Sequence, residues 1–377
     1  MKSLAKWLVV KLLLNGSFFP IEPESLGRST KGTQMRKMHW GATVTASLSL
    51  AITAAFIPTV ASADSTTAQL TKAGHSASAE AHHISSKESK AAANYWTADR
   101  MKSAIPGDVL TMKVGSAAVK RNLNDIAQML NNDAVEKLNT AGAPTTYATK
   151  TATRKASSSA VSEVPVSHIG KVFFTLGGSN YVCSGNSVSS TNGSTVSTAG
   201  HCLNEGPGAF ATNFVFVPAY KNGAAPYGKW SARTLVTTTQ WRSQGSMQYD
   251  TGFAVMNTLN GKTLSQTVGA SGLQFNAARG QTYKSFGYPA ARPFNGETLY
   301  SCYGKASNDP YNPAYNSQGI PCNMTGGSSG GPWFLGSSSS GYQNSVNSYG
   351  YGSNSTTMYG PYWGTVIQSA YQNASAS

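Results

Sequence analysis

Thr198-Ala199-Gly200-His201-Cys202 sets a histidine between a glycine and a cysteine, in a chain that is sparing with histidine. Of the 6 histidines in 377 residues, His201 alone follows His168. Downstream, Asp250 stands in Tyr249-Asp250-Thr251-Gly252, and Ser329 in Gly326-Gly327-Ser328-Ser329-Gly330-Gly331-Pro332. A serine hydroxyl is a poor nucleophile at neutral pH and needs a base within hydrogen-bond reach. Imidazole suits that role because its pKa lies near working pH. The imidazole needs a buried carboxylate to fix its tautomer and stabilise its cation. A developing oxyanion needs fixed donors, usually backbone N–H groups. Histidine, aspartate and glycine-flanked serine are therefore the parts of a nucleophilic hydrolase, with the N–H groups of Gly327 and Ser329 as oxyanion donors. The flanking glycines let the chain turn sharply enough to aim them.

Singly, each part has a bland reading: a Gly/Ser loop, a turn aspartate, a structural histidine. Together they narrow the choice. The acids after His201 are Glu205, Asp250, Glu297 and Asp309. Glu205 is too close in sequence to be the obvious orienter, and Asp309 sits in the turn signal Ser307-Asn308-Asp309-Pro310. Asp250 precedes the apolar run Phe253-Ala254-Val255-Met256, which would hold it rigidly in a buried place.

Working outward, the half from about Val166 is rich in Gly, Ser, Asn, Thr and Tyr and poor in charge. Short apolar runs alternate with turn signals: Lys171–Leu176, Phe214–Pro218, Thr234–Thr237, Phe253–Met256, Thr282–Phe286, Leu299–Cys302 and Trp333–Leu335. Such spacing predicts an all-β barrel or sandwich. Helix is expected only at the end, as one or two turns around Val366–Tyr371.

The upstream part differs in kind. Met35-Arg36-Lys37-Met38, the apolar or small stretch Gly41–Val60, and Ala61-Ser62-Ala63 read as a secretory signal cleaved after Ala63. Threonines, Pro58 and the small-residue ending favour removal over a stable membrane anchor. Residues 1–34 precede this signal awkwardly and read as an upstream extension or part of a longer targeting segment. Residues 64–165 carry mixed charge and no cysteine and read as a propeptide. Leu123, Ile126, Met129 and Leu130 fall at helical spacing, and Ala141–Val164 reads as an exposed, cuttable linker.

The net charge of +14 raises the possibility of a nucleic-acid partner. Residues 164–377, however, hold ten Lys/Arg against four Asp/Glu, a net of +6 with no basic run. A generally basic surface is the expectation, without nucleic acid. The four cysteines, Cys183, Cys202, Cys302 and Cys322, include no C-x-x-C pair, so no metal site and no cofactor are expected. An even number fits two disulfides in an oxidising compartment. Of three connectivities, Cys183–Cys202 with Cys302–Cys322 closes the short local loops.

Thr-Ala-Gly-His-Cys, Asp-Thr-Gly-Phe-Ala and Gly-Ser-Ser-Gly-Gly-Pro resemble the three active-site blocks of chymotrypsin-like serine peptidases. The nearest texture is that of secreted bacterial members close to the glutamyl endopeptidases, over about Ile169 to Tyr371. The resemblance implies two six-stranded antiparallel β-barrels, about 166–262 and 263–377, with His201 and Asp250 from the first and Ser329 from the second. It implies a secreted monomeric endopeptidase acting on proteins or peptides, with its own propeptide as a partner. Two departures follow. Ser328 replaces the aspartate that pairs with a freed amine in trypsin-type activation. Asn347 stands where glutamyl endopeptidases have a pocket histidine, and Asn323 stands at the pocket base. Asn323, Thr325, Asn347, Ser348 and Tyr349 are thus expected to line a polar, neutral specificity pocket. Two other readings were weighed. The Gly327–Gly331 stretch also fits the G-x-S-x-G of α/β-hydrolases, but no histidine follows Ser329. A catalytically inactive binding protein on the same scaffold would usually have lost a triad member, and none is lost here.

Overall fold

The computed structural model describes residues 78–111, 137–145 and 157–377. The expected signal (35–63), residues 1–34 and the helix-spaced stretch 122–130 lie outside them. In chain order the strands are β1 (Ala79–His83), β2 (Ile105–Pro106), β3 (Asn139–Ala141), β4 (Ser157–Ser162), β5 (Ile169–Leu176), β6 (Ser179–Val188), β7 (Thr195–Thr198), β8 (Thr212–Pro218) and β9 (Trp230–Thr238). They continue with β10 (Gly252–Met256), β11 (Gly272–Phe275), β12 (Thr282–Gly287), β13 (Tyr300–Lys305), β14 (Ser307–Asn308), β15 (Gln318–Pro321), β16 (Pro332–Leu335), β17 (Tyr342–Val346) and β18 (Thr357–Gly360). The helices are α1 (Ser86–Tyr95), α2 (Ala98–Lys102), α3 (Thr239–Gln244), α4 (Leu264–Val268) and α5 (Thr365–Ala376). No helix among the described residues is long and apolar enough to cross a membrane.

Strands β9, β10, β7, β6, β5 and β8 are joined antiparallel in that order, and β8 pairs back onto β9, closing a six-stranded barrel. Strand β5 buries side chains on both of its faces. Val172, Phe174 and Leu176 fill the barrel with Phe214, Phe216, Trp230 and Leu235. Ile169 and Phe173, on the other face, are covered by Ala92, Trp96 and Met101 from the upstream segment and by Phe286, Tyr288 and Phe334 from the second half. Alternation along the strand thus sends side chains into two cores.

The second half, joined by β3 and β4 from the upstream segment, forms a seven-stranded sheet, in the order β3, β11, β17, β16, β12, β13, β4, and a three-stranded sheet of β14, β15 and β18. Its core gathers Tyr283, Ile320, Met324, Trp333 and Met358 around the Cys302–Cys322 disulfide. The other disulfide joins Cys183 to Cys202. The local-loop connectivity expected from the sequence is the one formed.

The C-terminal helix is longer than its apolar run suggests. Ile367, Ala370, Tyr371 and Ala374, at i, i+3, i+4 and i+7, bury one face of α5 against Phe253, Val255, Phe275 and Trp363. The upstream segment is tied down as well. Strand β1 pairs along β9 from Ala79 with Thr238 to His83 with Thr234. Trp96 is fully buried, and its indole donates to the Asn213 carbonyl at 2.6 Å. The expected linker contributes β4, which pairs with β13, although its residues stay mostly exposed.

Candidate active site

His201 lies in a 3₁₀ turn, Gly200–Cys202, that follows β7 directly. Asp250 ends a second such turn just before β10, and β7 and β10 are neighbours in the barrel. Both side chains are completely buried. One Asp250 oxygen accepts the His201 backbone N–H at 2.8 Å. The other lies 2.8 Å from His201 Nδ1 and accepts the Ser348 hydroxyl at 2.6 Å. Three donors thus satisfy a carboxylate removed from water. A carboxylate only accepts, so Nδ1 of His201 donates in this pair and Nε2 is the ring nitrogen turned away from the acid. His201 Nε2 is buried and has no hydrogen-bond partner among the described residues. Trp241 packs edge-on against the imidazole, 6.3 Å between centroids. Gly200 must be a glycine for that packing, because a Cβ there would lie 2.8 Å from the Trp241 ring and 3.0 Å from the Asp250 carboxylate.

The Ser329 block is locked against this turn. The Ser329 carbonyl accepts the Ser184 N–H at 2.7 Å, and Cys183, the neighbour of Ser184, is bonded to Cys202 beside His201. Gly330 has φ +80° and abuts Thr198, Ser184 and Ala199, leaving no room for a side chain. Ser329 itself is 3% exposed.

Two peptide planes around Ser329 are fixed through their carbonyls. The Gly326 carbonyl accepts from Ala290 at 2.6 Å and Ala291 at 3.2 Å. The Ser328 carbonyl accepts from the Asn347 side chain at 3.0 Å and from Gly331 N at 3.0 Å. In a trans peptide the N–H points opposite to its carbonyl, so these anchors orient the N–H groups of Gly327 and Ser329. Ser184 adds a clamp: its hydroxyl donates to the Gly327 carbonyl and accepts Tyr288 N, both at 2.9 Å.

Each of the five residues expected in a pocket has a side-chain hydrogen-bond partner. Asn347 is fully buried, with its amide nitrogen on the Phe286 and Ser328 carbonyls and its oxygen on the Trp333 indole. Ser348 bonds Asp250. The Tyr349 hydroxyl donates to Asp309 at 2.9 Å. Thr325 donates to the Ala291 carbonyl at 2.7 Å, and Asn323 accepts the Ala160 N–H of β4 at 2.7 Å. Sequence reasoning missed Ser184, Trp241 and the bond from Ser348 to the acid. Only Ser184 carried a hint, its place beside a cysteine already singled out. The one grouping of possible metal ligands among the described residues is Cys183, His201 and Cys202. The disulfide removes the thiolates a metal would need there.

A buried His–Asp pair beside a glycine-cradled serine, on a six-stranded barrel, defines a serine-nucleophile hydrolase. No family model matches the sequence, nor does any curated protein. Solved structures do. The crystal structure of protease Anisep from Arthrobacter nicotinovorans is 78% identical, covering 58% of this chain and 100% of its own, at a TM-score of 0.57. Thermostable serine protease AL20 from an extremophilic microorganism is 54% identical, covering 56% of this chain and 98% of its own, at 0.55. A Glu endopeptidase is 20% identical, over 58% and 97%, at 0.47. This chain belongs to the chymotrypsin-like serine peptidases, and it is a serine endopeptidase.

Proposed function

We propose that the chain is the precursor of a secreted endopeptidase in which Ser329 is the nucleophile, His201 the base and Asp250 the orienting acid. Ser329 Oγ attacks the peptide carbonyl as His201 Nε2 takes its proton. The N–H groups of Gly327 and Ser329 hold the oxyanion. His201 then protonates the leaving amine, and water repeats the sequence on the acyl-enzyme. The observation that carries this reading is the doubly bonded, fully buried His201–Asp250 pair, which leaves a single imidazole nitrogen for chemistry. The second half supplies the other barrel of the peptidase, about 263–377. Residues 35–63 direct export, and residues 64–165 are a propeptide followed by a linker.

Ser329→Ala is expected to abolish hydrolysis of a peptide library with the fold intact by circular dichroism. Asp250→Asn is expected to lower kcat about 10⁴-fold, as loss of the correct tautomer does in such triads. Undiminished turnover in either variant would remove the assignment.

A further inference from the structure

The segment upstream of the barrel packs against the Cys183–Cys202 disulfide and the loop that carries Ser329. Strand β2 runs parallel to β6, with Ile105 opposite Tyr181 and Pro106 opposite Val182. Gly107 N then donates to the Val182 carbonyl at 2.9 Å. Gly107 rests on the Cys183–Cys202 disulfide, since a Cβ there would lie 2.6 Å from Cys183 Sγ. The next residue, Asp108, lays its carboxylate on Gly326, in the space a Cβ on that glycine would need. Leu110 N turns back to the Gly107 carbonyl at 3.0 Å, and Leu110 is buried with Phe174, Tyr181 and Cys202. Asp108 Oδ1, like His201 Nε2, is buried with no hydrogen-bond partner among the described residues. Burial raises the Asp108 carboxyl above its ordinary value, and the largest opposing influence is His201. That influence places the acid in the field of the catalytic imidazole.

Resting on the peptidase reading above, we infer that residues 105–111 are an inhibitory plug, with the Asp108 side chain standing over Gly326 beside His201 where a substrate carbonyl has to arrive. The choice of residue is chemically apt. A carboxylate is a resonance-stabilised anion and no acyl donor, so Ser329 has nothing to attack there. The plug is held at both ends. Upstream, β1 is hydrogen-bonded to β9, Ser89 donates to the Ala232 carbonyl at 2.7 Å and Trp96 is buried. Downstream, Leu110 reaches into the barrel core.

The test is the rate at which a small fluorophosphonate labels Ser329 in the full chain, with intact and cut species separated by size. The intact wild type is expected to label at least tenfold more slowly than the cut form. Asp108→Ala and Gly107→Val, the latter driven off the disulfide by its own bulk, are each expected to raise the intact rate at least tenfold. Lys90→Ala, exposed on α1, leaves it unchanged. An intact wild type that labels as fast as the cut form overturns the plug, as do two variants that both stay slow. If the cut wild type does not label at all, it is the peptidase assignment that fails.

Discussion

Ser184 uses each of its polar atoms on the site: its N–H on Ser329, its hydroxyl on Gly327 and Tyr288, and its carbonyl on the Thr198 hydroxyl. Where trypsin-type relatives hold this region with an ion pair, Ser328 offers no charge and a neutral clamp stands nearby. Ser184→Ala leaves a buried N–H and a buried carbonyl without their partner, which costs about 1–3 kcal/mol. We expect kcat to fall with KM little changed, and Ser184→Thr, which keeps the hydroxyl, to recover part of it. Ser348→Ala removes one of three donors to Asp250. Hydrogen bonds to charged groups contribute roughly 1.5–3 kcal/mol, so kcat is expected to drop about 10- to 100-fold in steady-state kinetics. The His, Asp and Ser blocks were legible because histidine and acids are scarce after residue 168 and each sits in a distinctive setting. Ser184 was not, and Asn347 and Ser348 were read only as pocket residues, because in a Ser/Asn/Gly-rich chain nothing local marks which hydroxyl or amide is buried against a catalytic group.

Among the elements, the strands with apolar runs, β5, β8, β9, β10, β12, β13 and β16, were readable from sequence. Those the sequence reading passed over include β6 (SNYVCSGNSV) and β17 (YQNSV), polar strands buried at the junction of the two halves. There Asn186 bonds Gln343 at 2.8 Å across the junction, so polarity that looks like loop is interior hydrogen bonding. The linker reading also needs refinement. Lys284 is 3% exposed, and its ammonium lies 2.9 Å from Glu163, which also accepts the Ser301 hydroxyl. Breaking a buried pair by removing one partner costs roughly 3–5 kcal/mol. Maturation should therefore cut upstream of β4 and leave Glu163 attached, which amino-terminal sequencing of the processed product will check. Glu163→Ala should lower the stability of the processed enzyme by a comparable amount in urea unfolding.

For the molecule as a whole, acid is the weak side. His168 sits where the barrel meets the second half, 2% exposed, with Nδ1 2.7 Å from Asn186 Oδ1 and Phe334 edge-on at 6.0 Å. Burial lowers its pKa from the ordinary 6.5 to about 4. Between those values the unfolded chain binds a proton that the folded one refuses, so stability falls as pH drops through that window, by about 3 kcal/mol at most. Urea unfolding at pH 7, 5.5 and 4 should show the decline, and His168→Gln should flatten it. One last consequence belongs to β1. Its five residues satisfy the outer border of β9 from Thr234 to Thr238. An enzyme relieved of them presents a bare row of amide donors and acceptors to solvent, a template on which any extended polypeptide can zip. The ripened enzyme should be the more adhesive of the two forms.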